Sequence, residues 1–540
     1  MKKIYAYLIL ILIACVYLGF RINVHTWETY YYTGCLDHFI PVQDMKPPTM
    51  ELNLPYEKLI CLHYTQHPIL YYLTYVICTH FFSLKDGLLI VQLFNIVSGI
   101  FALFLCYKIC FLLSRSRLLA VFMMSMIAFT DVYWYQCLSG EVYIQPFLFL
   151  LLSFYFLMTS DMITSNVQSM YQQIVLAILA AACAMAFHMF SALFYFVILF
   201  FLIEMKRKHH DFHLLFMTGI SLIIMSVFFL VTYVVPYLAL FQSRSITDWF
   251  QFVFLHTHHW GIWHVPFRFV IFEIMWSFII GLKHLLHAIV SGFSLIAIIL
   301  RMLILITFSY SAWFYFFRYK EKKVEHQLLL LWFFVYFVFI TTNIPMVNDY
   351  WIFIVFPMIV FVILILKQCM KFNHLMNSFG LALCLIMSIN FFDDIYPKTR
   401  IRKDDFFILS QGEKSIKEVK EIVMIGNKTL LGEIWHLHQI YQDKKFYYHA
   451  PDVQFQSRKA FLTRFEKLIQ RINAKQFLLI IDGTARDAVR ISRIIKQLDI
   501  KSERIFRMSK EYQTNELKTS MGLNTMPVTI TIYGFQIIKD

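Results

Sequence analysis

The chain has 540 residues, of which 59% are hydrophobic and only 15% are charged. Soluble globular domains carry about 25% charged residues, so this composition excludes that class. Many apolar runs are long enough for helices that cross a hydrocarbon core of about 30 Å, whereas a β-barrel would show short alternating segments. The sequence therefore predicts a polytopic α-helical membrane protein. The net charge of +14 does not indicate nucleic-acid binding, because the basic residues lie in short clusters between apolar runs, as topology signals do.

The first span is predicted at about residues 4–20, and Lys2 and Lys3 before it indicate a cytoplasmic N-terminus. No small-residue cleavage site follows this run, so we expect it to remain an uncleaved span. The other predicted spans lie at about residues 88–113, 118–134, 144–160, 172–187, 189–203, 213–235, 288–317, 327–342, 350–366 and 375–392.

Two segments decide the topology. If residues 68–84 lie along the membrane surface, the basic clusters after the second, sixth, eighth and tenth predicted spans all fall on the side of Lys2 and Lys3, as the positive-inside rule prefers. Residues 172–205 would make a helix of about 51 Å, too long for one span, so we expect two spans that meet near His188. The result is about eleven spans, with the N-terminus inside and the C-terminus outside.

This topology predicts two domains, a membrane domain at residues 1–397 and an extracytoplasmic α/β domain at residues 398–540. In the second domain the apolar runs shorten, and the patterns predict strands at 421–426, 476–482 and 527–538 and amphipathic helices at 429–442, 458–474 and 485–498. Residues 21–87 form the first extracytoplasmic loop, which we expect to contain interfacial helices. Cys35 and Cys61 share this loop, and whether they pair stays open.

Candidate site residues in the first loop are Glu28, Asp37, His63 and His67. Glu28 follows the first span directly and is flanked by Trp27 and a run of tyrosines. Taken alone, Glu28 also fits an ordinary interfacial carboxylate in an aromatic belt.

Three further candidates lie at the ends of later spans. Glu141 is an acid in apolar surroundings at a span boundary, which is costly unless the group is paired or functional. His188 separates two spans, and Asp349 precedes the tenth span. Each has an ordinary structural explanation when taken singly. Their convergence on one membrane face, under a topology derived from Lys and Arg alone, favours a site.

The segment 255–264 is rich in histidine and includes His256 and His258, with Arg244 and Arg268 on either side. Imidazole is a common metal ligand, but no recognised metal spacing is present. We therefore prefer hydrogen bonding to a phosphate or sugar, with the two arginines suited to phosphate geometry. No cofactor is required by these motifs, and a divalent metal stays open.

Three motifs resemble the integral-membrane glycosyltransferases of the C-type (GT-C) fold, especially the protein O-mannosyltransferase-like and lipid A aminoarabinose transferase-like families. Trp27-Glu28-Thr-Tyr-Tyr is similar to their acidic motif, Gln66-His67-Pro68 to their second element, and Ser139-Gly140-Glu141-Val-Tyr143 to a Glu-Val-Tyr element. The acidic pair of those families is reduced here to Glu28, so Asp37 is a second candidate.

The resemblance implies an inverting transfer of a hexosyl or mannosyl-type sugar from a polyprenyl-phosphate donor to a hydroxyl of a protein, lipid or glycan. Glu28 would act as general base, with Asp37 as the alternative, and His67, His258, Arg244 and Arg268 would stabilise the departing phosphate. Glu141 and His188 would orient the sugar or the helices of the first loop. The expected location is the cytoplasmic (inner) membrane, with the active site on its outer side. A transporter or flippase and a glycan polymerase or ligase are the alternatives.

Overall fold

The computed structural model describes residues 3–22, 87–162, 167–210, 212–235, 270–319, 323–343, 348–396, 399 and 419, together with five strands between residues 421 and 538. It contains two compact units, one holding the helices and the other the strands. The helices are α1 (Lys3–Gly19), α2 (Gly87–Ser114), α3 (Arg117–Ala128), α4 (Asp131–Leu138), α5 (Ile144–Met162), α6 (Val167–Phe187), α7 (Tyr195–Lys208), α8 (Leu214–Phe229), α9 (Val270–Ile289), α10 (Leu295–Phe317), α11 (Val324–Asn343), α12 (Ile352–Cys369) and α13 (Phe372–Asn390).

Short turns of other helix types extend several of these elements. Two 3₁₀ turns, Met189–Phe194 and Asn348–Trp351, lead into α7 and α12. Two π turns, Leu230–Val234 and Phe391–Ile395, follow α8 and α13.

In the described residues, eight helices are long and apolar enough to cross a membrane, and α3 and α4 together would make a ninth. The chain is a multi-pass membrane protein. A helix lies at each of the eleven predicted positions, although α1 and α5 have shorter apolar stretches than the eight. The exact number of spans, and the orientation derived from the basic clusters, stay predictions.

The predicted break at His188 is present in the structure. His188 has an extended backbone with φ −155° and ψ 121°, and its side chain accepts a hydrogen bond from the backbone N–H of Phe190. This contact caps the 3₁₀ turn that begins at Met189, so the chain leaves α6 and starts a second apolar span within two residues.

Two of the predicted spans contain an interruption of the helix that the sequence did not predict. Residues 118–134 were expected to form one span, but α3 ends at Ala128, and α4 begins at Asp131 after a bend of 67°. Residues 288–317 were expected to form another, but α9 ends at Ile289 and α10 starts at Leu295 with Ser294 as its N-cap.

Asn390 is the physical reason for both interruptions. Its Nδ2 donates to the carbonyl oxygens of Phe129 and Ile289, each at 2.8 Å. Its Oδ1 accepts from the backbone N–H of Ser291 at 2.7 Å and from the Ser291 hydroxyl at 3.0 Å. The side chain thereby satisfies backbone groups that the ends of α3 and α9 leave without helical partners. We call this cluster the Asn390 knot.

Gly292 completes the turn after α9. Its φ of +78° lies in the left-handed region that favours glycine. A Cβ at this position would overlap the carboxyl group of Asp393. The Arg301 side chain donates to the carbonyl oxygens of Gly292, at 2.5 Å, and Val290, at 2.8 Å, which closes the turn against α10.

The centre of the helical unit is packed with aromatic rings. Trp332 on α11 lies 5.5 Å from Phe154 on α5 and 5.4 Å from Phe356 on α12, measured between ring centroids. Such pairs add packing energy beyond the area they bury. Helix α12 is the most buried candidate span, at 78% of its apolar window, whereas α8, α10 and α13 are each 17% buried. We infer that the last three face lipid.

The strand unit is a five-stranded mixed sheet of order β2-β1-β3-β5-β4. The strands are β1 (Glu421–Ile425), β2 (Lys445–His449), β3 (Gln476–Asp482), β4 (Lys501–Tyr512) and β5 (Val528–Ile538). β1 pairs in parallel with β2 and β3, while β5 is antiparallel to both β3 and β4. Strands β1, β3 and β5 coincide with the predicted strands, whereas β2 and β4 were not predicted. The helices expected at 429–442, 458–474 and 485–498 lie outside the described residues.

Candidate active site

Three of the predicted site residues come together at the ends of the helices. The amide of Gln136 on α4 donates from Nε2 to Asp349 Oδ1 at 2.6 Å, and the same nitrogen lies 3.5 Å from Glu141 Oε2. Glu141 and Gln136 are fully buried, and Asp349 is half-buried. One neutral amide therefore connects two carboxylates that lie 208 residues apart in the sequence, at positions 141 and 349.

Asn95 on α2 fixes the loop that contains Glu141. Its Nδ2 donates to the carbonyl oxygens of Ser139 and Glu141, at 2.8 and 2.6 Å. Its Oδ1 accepts a hydrogen bond from Gln145 Nε2. Glu141 also donates its own N–H to Ser139 Oγ at 3.3 Å. Because all of these groups are buried, the network holds the backbone of Glu141 in one position.

Gln92, one turn before Asn95, anchors the other side of the loop. Its Nε2 donates to the carbonyl oxygens of Leu138 at 3.0 Å and of Ile22 at 3.1 Å. Gln92 therefore joins the end of α4 to the point where the chain leaves α1. This connection is relevant to the site because the predicted acidic motif of the first loop starts a few residues after Ile22.

His188 lies beside this cluster within a group of aromatic rings. Its ring centroid is 5.1 Å from that of Tyr143 and 5.6 Å from that of Tyr350. Because Nδ1 accepts the N–H of Phe190 at 3.3 Å, the neutral ring has its proton on Nε2. Burial lowers the pKa of His188 to about 3, so the ring is a neutral hydrogen-bonding group at physiological pH and not a cation.

A further histidine, which the sequence analysis did not select, contacts the same site. His284 on α9 donates from Nδ1 to Asn348 Oδ1 at 2.8 Å, and Asn348 directly precedes Asp349. The contact joins α9 to the turn that carries Asp349.

Eight of the predicted site residues lie outside the described residues: Glu28, Asp37, His63, His67, Arg244, His256, His258 and Arg268. Their roles stay predictions, as do the substrate-binding roles of Glu141, His188 and Asp349. Within the described ranges, no group of three or more His, Cys, Asp or Glu side chains is placed to hold a metal ion. Cys35 and Cys61 also lie outside these ranges, and the seven cysteines inside them are free.

Comparison with known proteins is informative only at the level of structure. No family model and no curated protein matches the sequence. The structure of ArnT from Cupriavidus metallidurans bound to undecaprenyl phosphate matches with a TM-score of 0.55 and 10% identity, over 98% of this chain and 97% of that chain. The apo structure of the same protein gives a TM-score of 0.54.

A second protein has a related structure. The archaeal oligosaccharyltransferase AglB from Archaeoglobus fulgidus, in complex with an inhibitory peptide and a dolichol-phosphate, matches with a TM-score of 0.51 and 11% identity. The match covers 88% of this chain and 69% of that one. ArnT, a lipid A aminoarabinose transferase, and AglB are both glycosyltransferases of the GT-C fold.

This chain has the GT-C fold. The resemblance drawn from the motifs in the first 190 residues is confirmed at that level. The likeness concerns the path of the backbone, and at 10% identity it assigns no role to any residue.

Proposed function

We propose that this protein is an inverting glycosyltransferase that moves a sugar from a polyprenyl-phosphate donor to an acceptor hydroxyl at the outer face of the cytoplasmic membrane. The observation on which this proposal rests is the pair of carboxylates, Glu141 and Asp349, held by one amide at the helix ends of a GT-C fold. Carboxylates buried among apolar helices are costly and are retained where they have a function.

The structural neighbours support the class of donor. The ArnT structure contains undecaprenyl phosphate, and the AglB structure contains a dolichol-phosphate. Both are polyprenyl phosphates, so the lipid carrier proposed here has the same chemistry. The neighbours do not indicate which sugar or acceptor this chain uses, and a hexose of the mannosyl type is our first choice to test.

In the proposed reaction, Glu28 removes the proton from the acceptor hydroxyl as that oxygen attacks the anomeric carbon. The bond between this carbon and the donor phosphate breaks, and the polyprenyl phosphate leaves with the bonding electrons. One displacement inverts the anomeric centre. Arg244, Arg268, His67 and His258 would stabilise the charge on the departing phosphate, and Asp37 is the alternative base.

The remaining predicted residues have binding roles in this proposal. Glu141, Asp349 and His188 accept or donate hydrogen bonds to sugar hydroxyls, with His63 and His256 as further contacts. In this proposal residues 398–540 form an extracytoplasmic domain.

The positions of Glu141 and Glu204 argue against a transporter. Transporters place polar groups near the middle of the membrane in broken helices. In the described residues the buried acidic side chains are Asp131, Glu141 and Glu204. Glu141 follows α4 and Glu204 lies near the end of α7, whereas Asp131 begins α4 at the break after α3. Glu204 also has its own partner, because Arg207 forms a 2.5 Å ion pair with it.

The proposal is tested by sugar transfer with purified protein in lipid, using a panel of polyprenyl-phosphate sugars and the Glu28→Gln variant. This change preserves the shape of the side chain and removes the base. General-base catalysis typically contributes roughly 10²–10⁴-fold, so we expect transfer to fall at least ~100-fold. Glu51→Gln, the same substitution at another acid of the first loop, serves as the matched control and should transfer normally.

Two outcomes would contradict the proposal at different levels. If Glu28→Gln transfers sugar normally, the base is a different group, and Asp37→Asn is the next variant to measure. If the wild-type protein transfers sugar from no donor in the panel, the reaction class itself is wrong, and transport of polyprenyl-phosphate sugars across vesicles is the next assay.

A further inference from the structure

Gln136 lies between two predicted substrate-binding acids, yet nothing in its sequence context selects it. Its amide donates to Asp349 at 2.6 Å, a short and therefore strong hydrogen bond to a charged acceptor. The contact to Glu141 is longer, at 3.5 Å. Gln136 thus joins α4 to the turn containing Asp349.

The orientation of the amide is determined by its neighbours. Turning it over would place Oε1 against the two carboxylates, where acceptor would face acceptor. In the orientation present, Oε1 is buried and has no donor among the described residues. A side chain selected only for stability would have both ends of its amide satisfied. The arrangement therefore favours the contact with the acids over the stability of the fold, which is typical of functional sites.

Helix α4 is held at both ends, which fixes the position of Gln136. At the start, Asn390 Nδ2 donates to the carbonyl oxygen of Phe129 in the bend before the helix. At the end, Gln92 Nε2 donates to the carbonyl oxygen of Leu138. Every residue of α4 is buried. The bend of 67° turns this short helix away from the direction of α3, so Gln136 contacts Asp349 from a rigid support.

We propose that Gln136 is a positioning residue, whose amide holds the carboxylate of Asp349 in the orientation in which that carboxylate binds the sugar substrate. The inference rests on the proposed function, because it assigns a sugar-binding role to Asp349. Gln136 acts through Asp349 and does not itself need to contact the sugar.

Exchanging the amide and the carboxylate between positions 136 and 349 distinguishes a positioning role of Gln136 from a role in stability alone. Gln136→Glu keeps the shape but replaces the donor with a carboxylate that repels Asp349. Adding Asp349→Asn restores a pair of one amide and one carboxylate, with the roles of the two positions exchanged. Melting temperature in detergent and kcat/KM for sugar transfer are measured for the wild type, both single variants and the double variant.

We expect Gln136→Glu to lower the melting temperature and the double variant to recover most of that loss. Transfer should not recover: kcat/KM should fall at least ~10-fold in each single variant and remain at the level of Asp349→Asn in the double variant. Gln168→Glu, at an exposed position on α6, is the matched control and should leave both quantities unchanged. If Gln136→Glu does not fold, Gln136→Met keeps the length without charge and should fold but lose transfer at least ~10-fold.

Two results would overturn the inference. If the double variant recovers transfer together with stability, Gln136 only supports the fold, and the carboxylate at position 349 is not needed. If the changes in melting temperature caused by the two substitutions simply add, the side chains at positions 136 and 349 do not interact. Failure of the proposed function gives a different pattern. The effects of the two substitutions on the melting temperature are then not additive, but the wild-type protein transfers no sugar. That pattern would remove the sugar-binding role of Asp349, and with it this inference.

Discussion

Two buried amides hold opposite ends of α4, and they differ in how completely they are hydrogen-bonded. The Asn390 knot uses all four hydrogen bonds that an asparagine side chain can make, two donated and two accepted. Gln136, at the other end of the helix, donates to two acids but leaves its buried oxygen without a donor in the described structure.

The difference indicates which end is built for stability. A fully satisfied buried network rigidifies the structure and costs little, whereas a partly satisfied one lowers stability. We conclude that the Asn390 knot stabilises the fold, whereas our proposal gives the cluster of Gln136, Glu141 and Asp349 a role in substrate binding. The predictions below test this division, beginning with the knot.

Asn390→Ala should cause the largest loss of stability. It leaves two carbonyl oxygens, of Phe129 and Ile289, and the N–H of Ser291 buried without their partner. Each orphaned group costs about 1–3 kcal/mol, so we expect a loss of about 4 kcal/mol, measured by denaturant or thermal unfolding in detergent. Asn343→Ala is the matched control, because the Asn343 amide donates to the Phe339 carbonyl oxygen and the Thr342 hydroxyl within its own helix turn, and it should cost less than about 1 kcal/mol. A loss at Asn390 no larger than that at Asn343 would mean that the knot does not stabilise the bends.

Gly292→Ala should destabilise the same region by a different mechanism. Alanine at a φ of +78° is strained by about 1–2 kcal/mol, and its methyl group would overlap the Asp393 carboxyl. We expect a total loss of about 3 kcal/mol. Gly219→Ala is the control, since nothing lies within 4 Å of a Cβ built there, and a helical alanine is favoured by up to about 1 kcal/mol. Equal stability of the two variants would show that the turn after α9 tolerates rearrangement.

The sequence predicted the positions of the helices well where a local pattern decides them. The predicted span at 144–160 corresponds to α5, and the break at His188 is present because its side chain caps the next turn. The bends at residues 129–130 and 290–294 were missed because a distant residue stabilises them. Asn390 lies 261 positions from Phe129, and no local pattern contains that information.

The same contrast between local patterns and distant partners applies to the candidate site. Glu141, His188 and Asp349 could be selected from the sequence because an ionisable group in apolar surroundings is rare, and the structure brings them close together. Gln136 and Asn95 were missed because an uncharged amide is less conspicuous. Their partners are also distant, with Asp349 213 positions from Gln136. The signal available was two polar residues, Gln92 and Asn95, on one face of the apolar helix α2.

Beside the candidate site, the stability of the fold should depend on pH through His188, which lies between α6 and the turn that leads into α7. Burial lowers its pKa in the folded protein to about 3, from an ordinary value of 6.5. Between these values the unfolded chain binds a proton that the folded protein does not. Acidification therefore favours unfolding. The stabilising contribution of neutral His188 to the free energy of unfolding is fully present above pH 6.5 and is lost as the pH falls towards 3. From pH 7 to pH 5 this one residue should account for about 2 kcal/mol.

The matched variant is His188→Asn, because asparagine is a preferred cap and its Oδ1 can accept the N–H of Phe190 as Nδ1 does now. The variant loses the aromatic packing around the ring, so the comparison is between the slopes of stability against pH and not between absolute stabilities. We expect the unfolding free energy of the wild type to fall by about 2 kcal/mol more than that of the variant between pH 7 and pH 5. Parallel slopes would mean that His188 takes up a proton in the folded state. It would then be a cation among the rings of Tyr143 and Tyr350, and this part of the site would no longer be neutral.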